Sequence, residues 1–200
     1  MHEPERVESG DTKTEACTGD KQEFLSHPGP RWLDLRAWVR DVVISVVIAA
    51  IIIVFLYQPV KVEGTSMMPW LTDQERIFVN KFVYRFGEIQ RGDIVVFWFP
   101  LDASKSYIKR VVGLPGDVVE IDRGTVLVNR KPVEENYVPE QYRDRMSYDP
   151  VTVKPDHYYV LGDHRNASND SRTWGTVERR RIYGKAVFVY WPLDKFGVLQ

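Results

Sequence analysis

Cysteine is almost absent from this sequence of 200 residues, in which Cys17 is the only one. An intrachain disulfide is therefore impossible, so the fold does not depend on a disulfide framework. The four histidines are scattered, and no pair of them has the spacing of metal ligands. We therefore expect neither a metal nor another cofactor.

The chain also lacks an excess of charge of one sign, since its formal net charge is −1. No stripe rich in lysine and arginine stands out, which leaves a nucleic-acid partner without electrostatic support. The nearest approach to a basic run is residues 179–181, three arginines in a row. A solvated face is the ordinary interpretation of such a run, and a role in binding phosphate or lipid headgroups is the alternative.

A long amphipathic helical pattern and an internal repeat are missing too. Beyond Pro59 the sequence instead shows short runs of β-type residues separated by turn signals. The pieces DRG (residues 122–124) and NRK (residues 129–131) are typical of tight turns between neighbouring strands. We predict a mainly antiparallel β domain with strands at residues 77–80, 94–99, 107–112, 118–121, 125–128, 158–161 and 186–190.

One long hydrophobic run is present, at residues 42–57, where no charged side chain occurs. As a helix it would extend about 24 Å, slightly less than the ~30 Å hydrocarbon core of a bilayer. Arg40 and Lys61 at its ends can snorkel to the headgroups. A buried strand would be unusually long, and a cleavable signal peptide is disfavoured because no A-x-A pattern follows. The run predicts a permanent transmembrane anchor.

The basic residues around this run predict its orientation. Arg31, Arg36 and Arg40 precede it closely, whereas Lys61 alone follows it closely. The positive-inside rule then places the N-terminus in the cytoplasm of a plasma (inner) membrane protein with a single pass. The expected domains are a disordered cytoplasmic tail at residues 1–31, a juxtamembrane segment and transmembrane helix at 32–58, and an extracytoplasmic antiparallel β-sheet or barrel-like domain at 59–200.

Three polar stretches in the β part are candidates for chemistry. GTSMMP (residues 64–69) predicts a turn that presents the hydroxyl of Ser66, although a plain loop is equally compatible with it. In YIKRVVGLPGD (residues 107–117) a strand would point Lys109 and Arg110 to opposite faces. A lysine on an apolar face is costly unless it is neutral or paired, while the alternative is a solvated lysine on an edge strand. GDHRNASNDSRTWG (residues 162–175) indicates a loop held by bonds from side chains to the backbone.

Together with RGDIVVF (residues 91–97), these stretches resemble one family, the type I signal peptidases, which are serine proteases of bacterial and organellar membranes. The segments occur in the family's order behind an anchor, and the resemblance covers nearly all of residues 38–195. It implies a membrane-bound endopeptidase that removes N-terminal signal peptides from exported preproteins through an acyl-enzyme.

The resemblance also implies a role for individual residues. Ser66 would attack the scissile carbonyl, and Lys109, as a neutral amine, would take its proton. Ser168 would hydrogen-bond the lysine amine, and Asp170 with Arg172 would shape the loop behind the site. A direct pair between Asp170 and Lys109 would raise the pKa of the lysine, so an arginine partner for Asp170 makes physical sense.

Substrate recognition is likewise implied by the resemblance. Small side chains at positions −1 and −3 of a signal peptide would enter shallow pockets lined by Met67 and by the strand residues Ile94, Val95 and Val96. The peptide would add as an extended strand beside the site. The expected partners are therefore signal peptides and the lipid bilayer, which we expect apolar surface around Trp70, Phe97 and Trp98 to touch. The sequence carries no signal for an oligomeric state.

Some features leave alternatives. The oxyanion would bind the backbone N–H of Ser66, but Gly64 replaces a serine that donates a hydroxyl in some members, so the second donor is open. The sequence from Ser106 to Lys109 also fits the S-x-x-K pattern of penicillin-recognising enzymes, although neither S-D-N nor K-T-G follows. A triad based on His164 lacks a G-x-S-x-G elbow. Self-cleaving repressors share a serine–lysine dyad but need a DNA-binding domain, and a non-catalytic scaffold would have lost Ser66 or Lys109.

Overall fold

The structure is a computed structural model that describes residues 31–199. The side chains of residues 31–34 and 53–56 are not part of that description. The predicted polar tail, with Cys17, lies outside the described residues apart from Arg31. The chain divides into two compact units, Met1–Ile44 and Ser45–Gln200, and every strand belongs to the second.

One long helix, α1 (Arg31–Leu56), covers most of the segment predicted as the anchor. Its described side chains, at residues 35–52, are exposed. Among the residues that the structure describes, no helix is both long and apolar enough to cross a bilayer. The helix ends two residues before the predicted anchor does, because Tyr57 and Gln58 already lie in the first strand.

The rest of the described chain is mainly β, and every strand pair is antiparallel. The predicted fold class of this part is therefore confirmed. The strands are β1 (Tyr57–Lys61), β2 (Arg76–Asn80), β3 (Ile94–Trp98), β4 (Ser106–Gly113), β5 (Val118–Asp122), β6 (Thr125–Val128), β7 (Lys131–Pro132), β8 (Tyr148–Thr152), β9 (His157–Leu161), β10 (Val177–Glu178), β11 (Ile182–Trp191) and β12 (Gly197–Val198).

Helical pieces in this part are short. They are α2 (Val83–Phe86), α3 (Ser171–Trp174) and single 3₁₀ turns at Glu140–Tyr142, Arg165–Ala167, Arg179–Arg181 and Leu193–Lys195.

The strands form two sheets. The larger has the order β1-β2-β11-β3-β4-β9-β10, with β12 added to β11, and the smaller has the order β7-β6-β5-β8. The larger sheet is open, since β1 and β10 at its ends do not pair with each other among the described residues. Two hairpins, β5–β6 and β6–β7, join neighbouring strands of the smaller sheet through the predicted turns.

Those turns need left-handed backbone conformations. Arg123 and Gly124 have φ of 45° and 81°, and Asn129 and Arg130 have φ of 52° and 66°. Positive φ at two successive residues is the geometry of the two-residue hairpin turn that suits the twist of antiparallel strands. The sequence signals at these two places were therefore correct.

Apolar side chains form three buried clusters. Because successive side chains of a strand point to opposite faces, neighbouring residues of one strand belong to different clusters. In β3, Ile94 and Val96 belong to one cluster, while Val95 and Phe97 belong to another. The third cluster joins the two sheets, with Tyr159 of the larger packed near Val119 of the smaller. Phe97 is fully buried, so the expectation that it lies on a surface facing lipid is wrong, whereas Trp70 and Trp98 are exposed.

One strand edge is left unpaired in the middle of the larger sheet. Residues Ser106 to Arg110 of β4 pair with β3 on one side. On the other side β9 pairs only with Arg110, Val111 and Gly113. Within the described residues, the first half of β4 therefore keeps a free edge, with backbone N–H and C=O groups available for another strand.

Candidate active site

Ser66 lies in a tight turn between β1 and β2. Gly64 begins this turn with φ of 93°, a conformation that L side chains rarely adopt. The Asp73 carboxylate accepts a 2.8 Å hydrogen bond from the Gly64 N–H, and the Met68 N–H donates to the Thr65 carbonyl at 3.1 Å. The turn is thus fixed on both sides of Ser66, whose side chain is half-buried.

Lys109 reaches this serine from the middle of β4. Its Nζ lies 2.6 Å from Ser66 Oγ, although 43 positions of chain separate the two residues. The same nitrogen lies 3.0 Å from the carbonyl oxygen of Ile108. The amine is therefore held between the Ile108 carbonyl oxygen and the serine hydroxyl. Tyr107, two residues earlier on the same face of the strand, has its ring centroid 5.3 Å from Nζ.

The surroundings of Lys109 disfavour its charge. The residue is only 4% exposed, and within the described residues no carboxylate contacts its amine directly. Burial lowers the pKa of Lys109 to about 8, against the negative charges of Asp170 and Asp163, which raise it. An amine with a pKa of about 8 is roughly one-tenth neutral at pH 7 and about half neutral at pH 8, so a usable fraction can accept a proton.

Ser168 does not take the place that the family resemblance implies. Its Oγ is buried and makes no hydrogen bond among the described residues, so the expected bond to the Lys109 amine is absent. Ser168 nevertheless belongs to the site, because a Cβ built on Gly162 would lie 2.2 Å from Ser168 Oγ and 2.5 Å from the Ser66 carbonyl oxygen.

Asp170 and Arg172 form a two-pronged ion pair. Arg172 donates from Nε to Asp170 Oδ1 and from Nη2 to Asp170 Oδ2, both at 2.8 Å. The Asp170 carboxylate also accepts from the Gly162 N–H at 3.0 Å. The other Arg172 nitrogen donates to Asp144 Oδ2 at 2.8 Å, which links the loop to the segment before β8. The pair is buried, and the positive charge of Arg172 opposes the effect of the Asp170 carboxylate, which raises the pKa of Lys109.

His164 contacts the serine turn through the backbone. Its N–H donates to the Ser66 carbonyl at 3.1 Å, and its Nδ1 lies 3.0 Å from the Thr65 carbonyl oxygen. The Tyr142 ring packs edge-on against the imidazole, with centroids 4.6 Å apart. Its ring is thus engaged by the carbonyl before the serine, which gives no support to a histidine-based triad.

A groove of about 630 Å³ opens in front of Ser66 and Lys109. It runs between the segment that follows β1 and the free edge of β4. Its lining residues are Val60, Lys61, Val62, Glu63, Gly64, Thr65, Ser66, Ile77, Val96, Ser104, Lys105, Ser106, Tyr107, Ile108, Lys109, Ala167 and Asn169.

Of the four residues predicted to bind substrate, only Val96 lines this groove. Met67 is 1% exposed and packs in the same buried cluster as Ile94 and Val96. Val95 points to the opposite face of β3 because successive side chains alternate. Met67, Ile94 and Val95 are absent from the groove lining, and their role in substrate binding stays a prediction.

Sequence reasoning missed several residues of the site. Gly162 carries no motif signal for its contact with Ser66, and Asp144 lies 28 positions from Arg172. The groove residue Ile77 is a plain strand residue in the sequence. No three His, Cys, Asp or Glu side chains within residues 31–199 come together as a metal site.

Comparisons with known proteins agree on one family. Residues 35–191 match the family model described as "Signal peptidase, peptidase S26". The chain is 40% identical over 190 residues to a probable signal peptidase I-2 of Synechocystis, which covers 91% of this chain and 83% of the relative. It is 39% identical over 173 residues to a signal peptidase I of Bacillus licheniformis, covering 80% and 91%.

Among solved structures, a signal peptidase I from Enterococcus faecalis is 31% identical, with a TM-score of 0.44, and covers 50% of this chain and 97% of its own. The family match over residues 35–191 and the extent of the two sequence relatives decide the assignment. The chain belongs to the peptidase S26 family of signal peptidases.

Proposed function

We propose that this chain is a membrane-attached serine endopeptidase that removes signal peptides with Ser66 as nucleophile and Lys109 as general base. The contact of 2.6 Å between Lys109 Nζ and Ser66 Oγ carries the proposal. Family membership supports the coarser activity, cleavage of signal peptides by a peptidase.

The reaction follows from that contact. As Ser66 Oγ bonds to the scissile carbonyl carbon, its proton moves to the neutral amine of Lys109. The amine then gives this proton to the departing nitrogen as the peptide C–N bond breaks, which leaves an acyl-enzyme ester on Ser66. Lys109 next takes a proton from water, the hydroxide attacks the ester, and Ser66 regains its proton.

The oxyanion is assigned to the backbone N–H of Ser66, since a donor aimed at developing charge is worth several kcal/mol. Gly64 offers no side-chain donor to assist it. A serine at that position would have open space around its Cβ, yet its backbone would be strained at φ of 93°. The glycine therefore suits the turn at the expense of a hydroxyl.

The substrate is proposed to bind as an added strand along the free edge of β4. Extended peptides gain main-chain hydrogen bonds in this way, and side-chain pockets supply specificity. The groove beside that edge contains both Ser66 and Lys109. Val96 and Ile108 offer apolar lining for small side chains of a signal peptide.

Membrane attachment is proposed from the sequence of α1. The uncharged run continues from residue 42 to residue 57, beyond the side chains that the structure describes. Together with the flanking bias of Arg31, Arg36 and Arg40, it favours a single pass with the N-terminus in the cytoplasm and the β domain outside. The loop that carries Ser168, Asp170 and Arg172 is proposed to support the site, because Gly162 at its start lies against the Ser66 carbonyl and bonds the Asp170 carboxylate.

The proposal is tested by cleavage of a preprotein that ends its signal in Ala-x-Ala, with the solubilised full-length chain. We expect Ser66→Ala and Lys109→Met each to lower the cleavage rate about a thousandfold or more, as loss of either member of a catalytic dyad does. Cleavage after the final alanine is read by N-terminal sequencing of the product.

Two control variants match these changes in chemistry. Ser147→Ala and Lys131→Met alter exposed residues of the smaller-sheet region and should leave the rate near that of the wild type. Full activity of Ser66→Ala or of Lys109→Met would end the proposal. His164→Ala separates the dyad from a triad, because the dyad mechanism predicts nearly normal turnover.

A further inference from the structure

A second groove, of about 600 Å³, lies at the edge of the β domain where β1 begins. It is distinct from the groove that contains Ser66, since the two share no lining residue. Its lining residues are Gln58, Lys81, Phe82, Tyr84, Arg85, Trp98, Arg179, Ile182 and Tyr183.

The charge of this groove is positive and unopposed. Lys81, Arg85 and Arg179 line it, and no carboxylate does. Lys81 and Arg85 are exposed and form no ion pair with the described residues. Arg179 is held in place by a hydrogen bond of 2.5 Å to the Tyr84 carbonyl. Three cations that face one groove without a counter-charge favour an anionic ligand.

Several basic residues elsewhere in the domain are paired with carboxylates. Arg91 meets Asp117 at 2.8 Å, and the buried Arg110 meets Asp163 at the same distance. Unpaired basic residues also occur elsewhere in the described part of the domain, at Lys61, Arg76 and Lys131 for example, so what distinguishes this groove is that three of them line one cavity without a carboxylate.

Aromatic rings form the wall beside these cations. Trp98 is 43% exposed, and its ring lies 4.7 Å from that of Tyr183. The Arg85 guanidinium lies over the Phe82 ring at 4.9 Å. Next to the groove, Phe86 is 91% exposed. Tryptophan and tyrosine beside arginine and lysine are typical of protein surfaces at the headgroup level of a bilayer.

The position of the groove on the chain agrees with that level. Gln58 is the second residue after α1 ends at Leu56. Tyr57 pairs with Asn80, and Lys81 follows directly. The groove is thus built where the chain passes from the apolar run into the β domain, within a few residues of the end of the proposed anchor.

We propose that this groove binds the phosphate of an anionic phospholipid headgroup. The inference rests on the membrane attachment proposed above, and it adds a defined lipid site to it. Lys81, Arg85 and Arg179 neutralise the phosphate, while Trp98 and Tyr183 contact the glycerol and the start of the acyl chains. Guanidinium groups suit phosphate because their N–H donors match its oxygens two at a time.

The test uses the full-length chain in neutral detergent and a phosphatidylglycerol labelled on its acyl chain, with binding measured by fluorescence anisotropy. We expect unlabelled phosphatidylglycerol to compete and phosphatidylcholine to compete far less. The variant Lys81→Gln/Arg85→Gln should weaken binding about 25-fold, because each basic residue near an anionic headgroup contributes about fivefold. Arg179 is left unchanged because it also supports Tyr84.

A matched control is Lys131→Gln/Arg145→Gln, which removes the same two charges from exposed positions in the smaller-sheet region and should bind as the wild type does. Equal competition by phosphatidylcholine, or equal loss in the control, would overturn the proposal. Competition by inorganic phosphate as strong as that by the lipid would assign the groove to free phosphate instead. The Lys81→Gln/Arg85→Gln variant should still cleave the preprotein in detergent. This measurement keeps a failure of the lipid site apart from a failure of the Ser66 and Lys109 mechanism.

Discussion

The amine of Lys109 is a basic group buried in a β-sheet, and its surroundings disfavour its charged form. Its position in β4 is shared with ordinary apolar residues, and alternation places it on the same face as Val111. What distinguishes it is the loss of water around the charged form, which the nearby carboxylates of Asp170 and Asp163 only partly offset. Ionisation of this single group should therefore be visible both in catalysis and in stability.

Catalysis should depend on pH through Lys109. Because the base must be neutral and its pKa is about 8, kcat/KM should rise about tenfold per pH unit below about pH 8 and level off above it. Preprotein cleavage measured across this range checks the expectation. The variant His164→Gln should keep the same midpoint, whereas a midpoint that moves with this change would assign the titration to the imidazole.

Removing the Lys109 amine should raise the stability of the fold, although it abolishes catalysis. The pKa of Lys109 falls from 10.5 to about 8 on folding, so the unfolded chain binds more protons between these two values and the wild type gains stability as pH rises through that window. Below about pH 8 the charged amine costs about 3 kcal/mol, partly offset by its hydrogen bonds to Ser66 and Ile108.

We therefore expect Lys109→Met to be inactive yet more stable than the wild type by about 1 kcal/mol at neutral pH. The gain should disappear as the pH approaches 10.5. Urea unfolding followed by tryptophan fluorescence measures it, with Lys131→Met as the exposed control. A destabilised Lys109→Met at neutral pH would show that packing of the amine, and not its charge, dominates.

At the level of elements, the loop between β9 and β10 carries the supports of the site. Gly162, Ser168, Asp170 and Arg172 all belong to it. Asp170 caps the short helix α3, and its Oδ1 accepts from the Arg172 N–H at 3.3 Å. Since the negative charge of Asp170 raises the pKa of Lys109 and the positive charge of Arg172 lowers it, the loop also influences the base electrostatically.

Replacing Arg172 by methionine should consequently shift the pH profile of cleavage upward by about one unit, because the Asp170 carboxylate loses its compensating charge. The double variant Asp170→Asn/Arg172→Met should return the midpoint toward that of the wild type. Cleavage rates at several pH values measure both. Loss of activity without a shifted midpoint, in the single variant, would limit Arg172 to a structural role.

The elements were largely readable from the sequence, and the exceptions have physical causes. All seven predicted strands exist, and the turns at Gly124 and Asn129 were recognised because glycine and asparagine tolerate positive φ. Strand β1 was missed because Tyr57 and Gln58 continue the hydrophobic run. Strand β8, with the sequence YDPVT, carries a proline and polar residues that weaken a strand signal.

The sequence motifs predicted the residues of the site but not the contacts between them. Ser66 and Lys109 follow from short segments, but the contact between them depends on how the larger sheet brings β4 beside the turn before β2. The pockets around Val96 were harder to assign, because the direction of each side chain in β3 depends on which face the sheet turns toward the groove. Gly162 begins the motif at residues 162–175, but that motif does not predict its close approach to Ser168 and the Ser66 carbonyl.

At the scale of the whole molecule, the proposed topology is open to a direct test with the chain's only cysteine. Cys17 belongs to the tail expected in the cytoplasm, so a membrane-impermeant maleimide should not label it in intact spheroplasts. In a Cys17→Ser background, Met146→Cys places a thiol at an exposed position of the β domain and should be labelled. Mass-tag shifts on a gel read both outcomes.

Detergent lysis is the control, because it should make Cys17 react as well. Labelling of Cys17 before lysis would reverse the proposed orientation. Failure of Met146→Cys to react even after lysis would indicate an inaccessible side chain, and Leu101→Cys, at another exposed position, then provides the second thiol.

The unpaired half of β4 limits which polypeptides can be cleaved. A backbone can dock there only after giving up its own internal hydrogen bonds, so a polypeptide that has already coiled into a helix or closed into a compact domain presents nothing to this ladder. The enzyme would thus discriminate between newly emerging and finished proteins by their shape before any side chain is inspected, and mature proteins that happen to contain two suitably spaced alanines would remain intact.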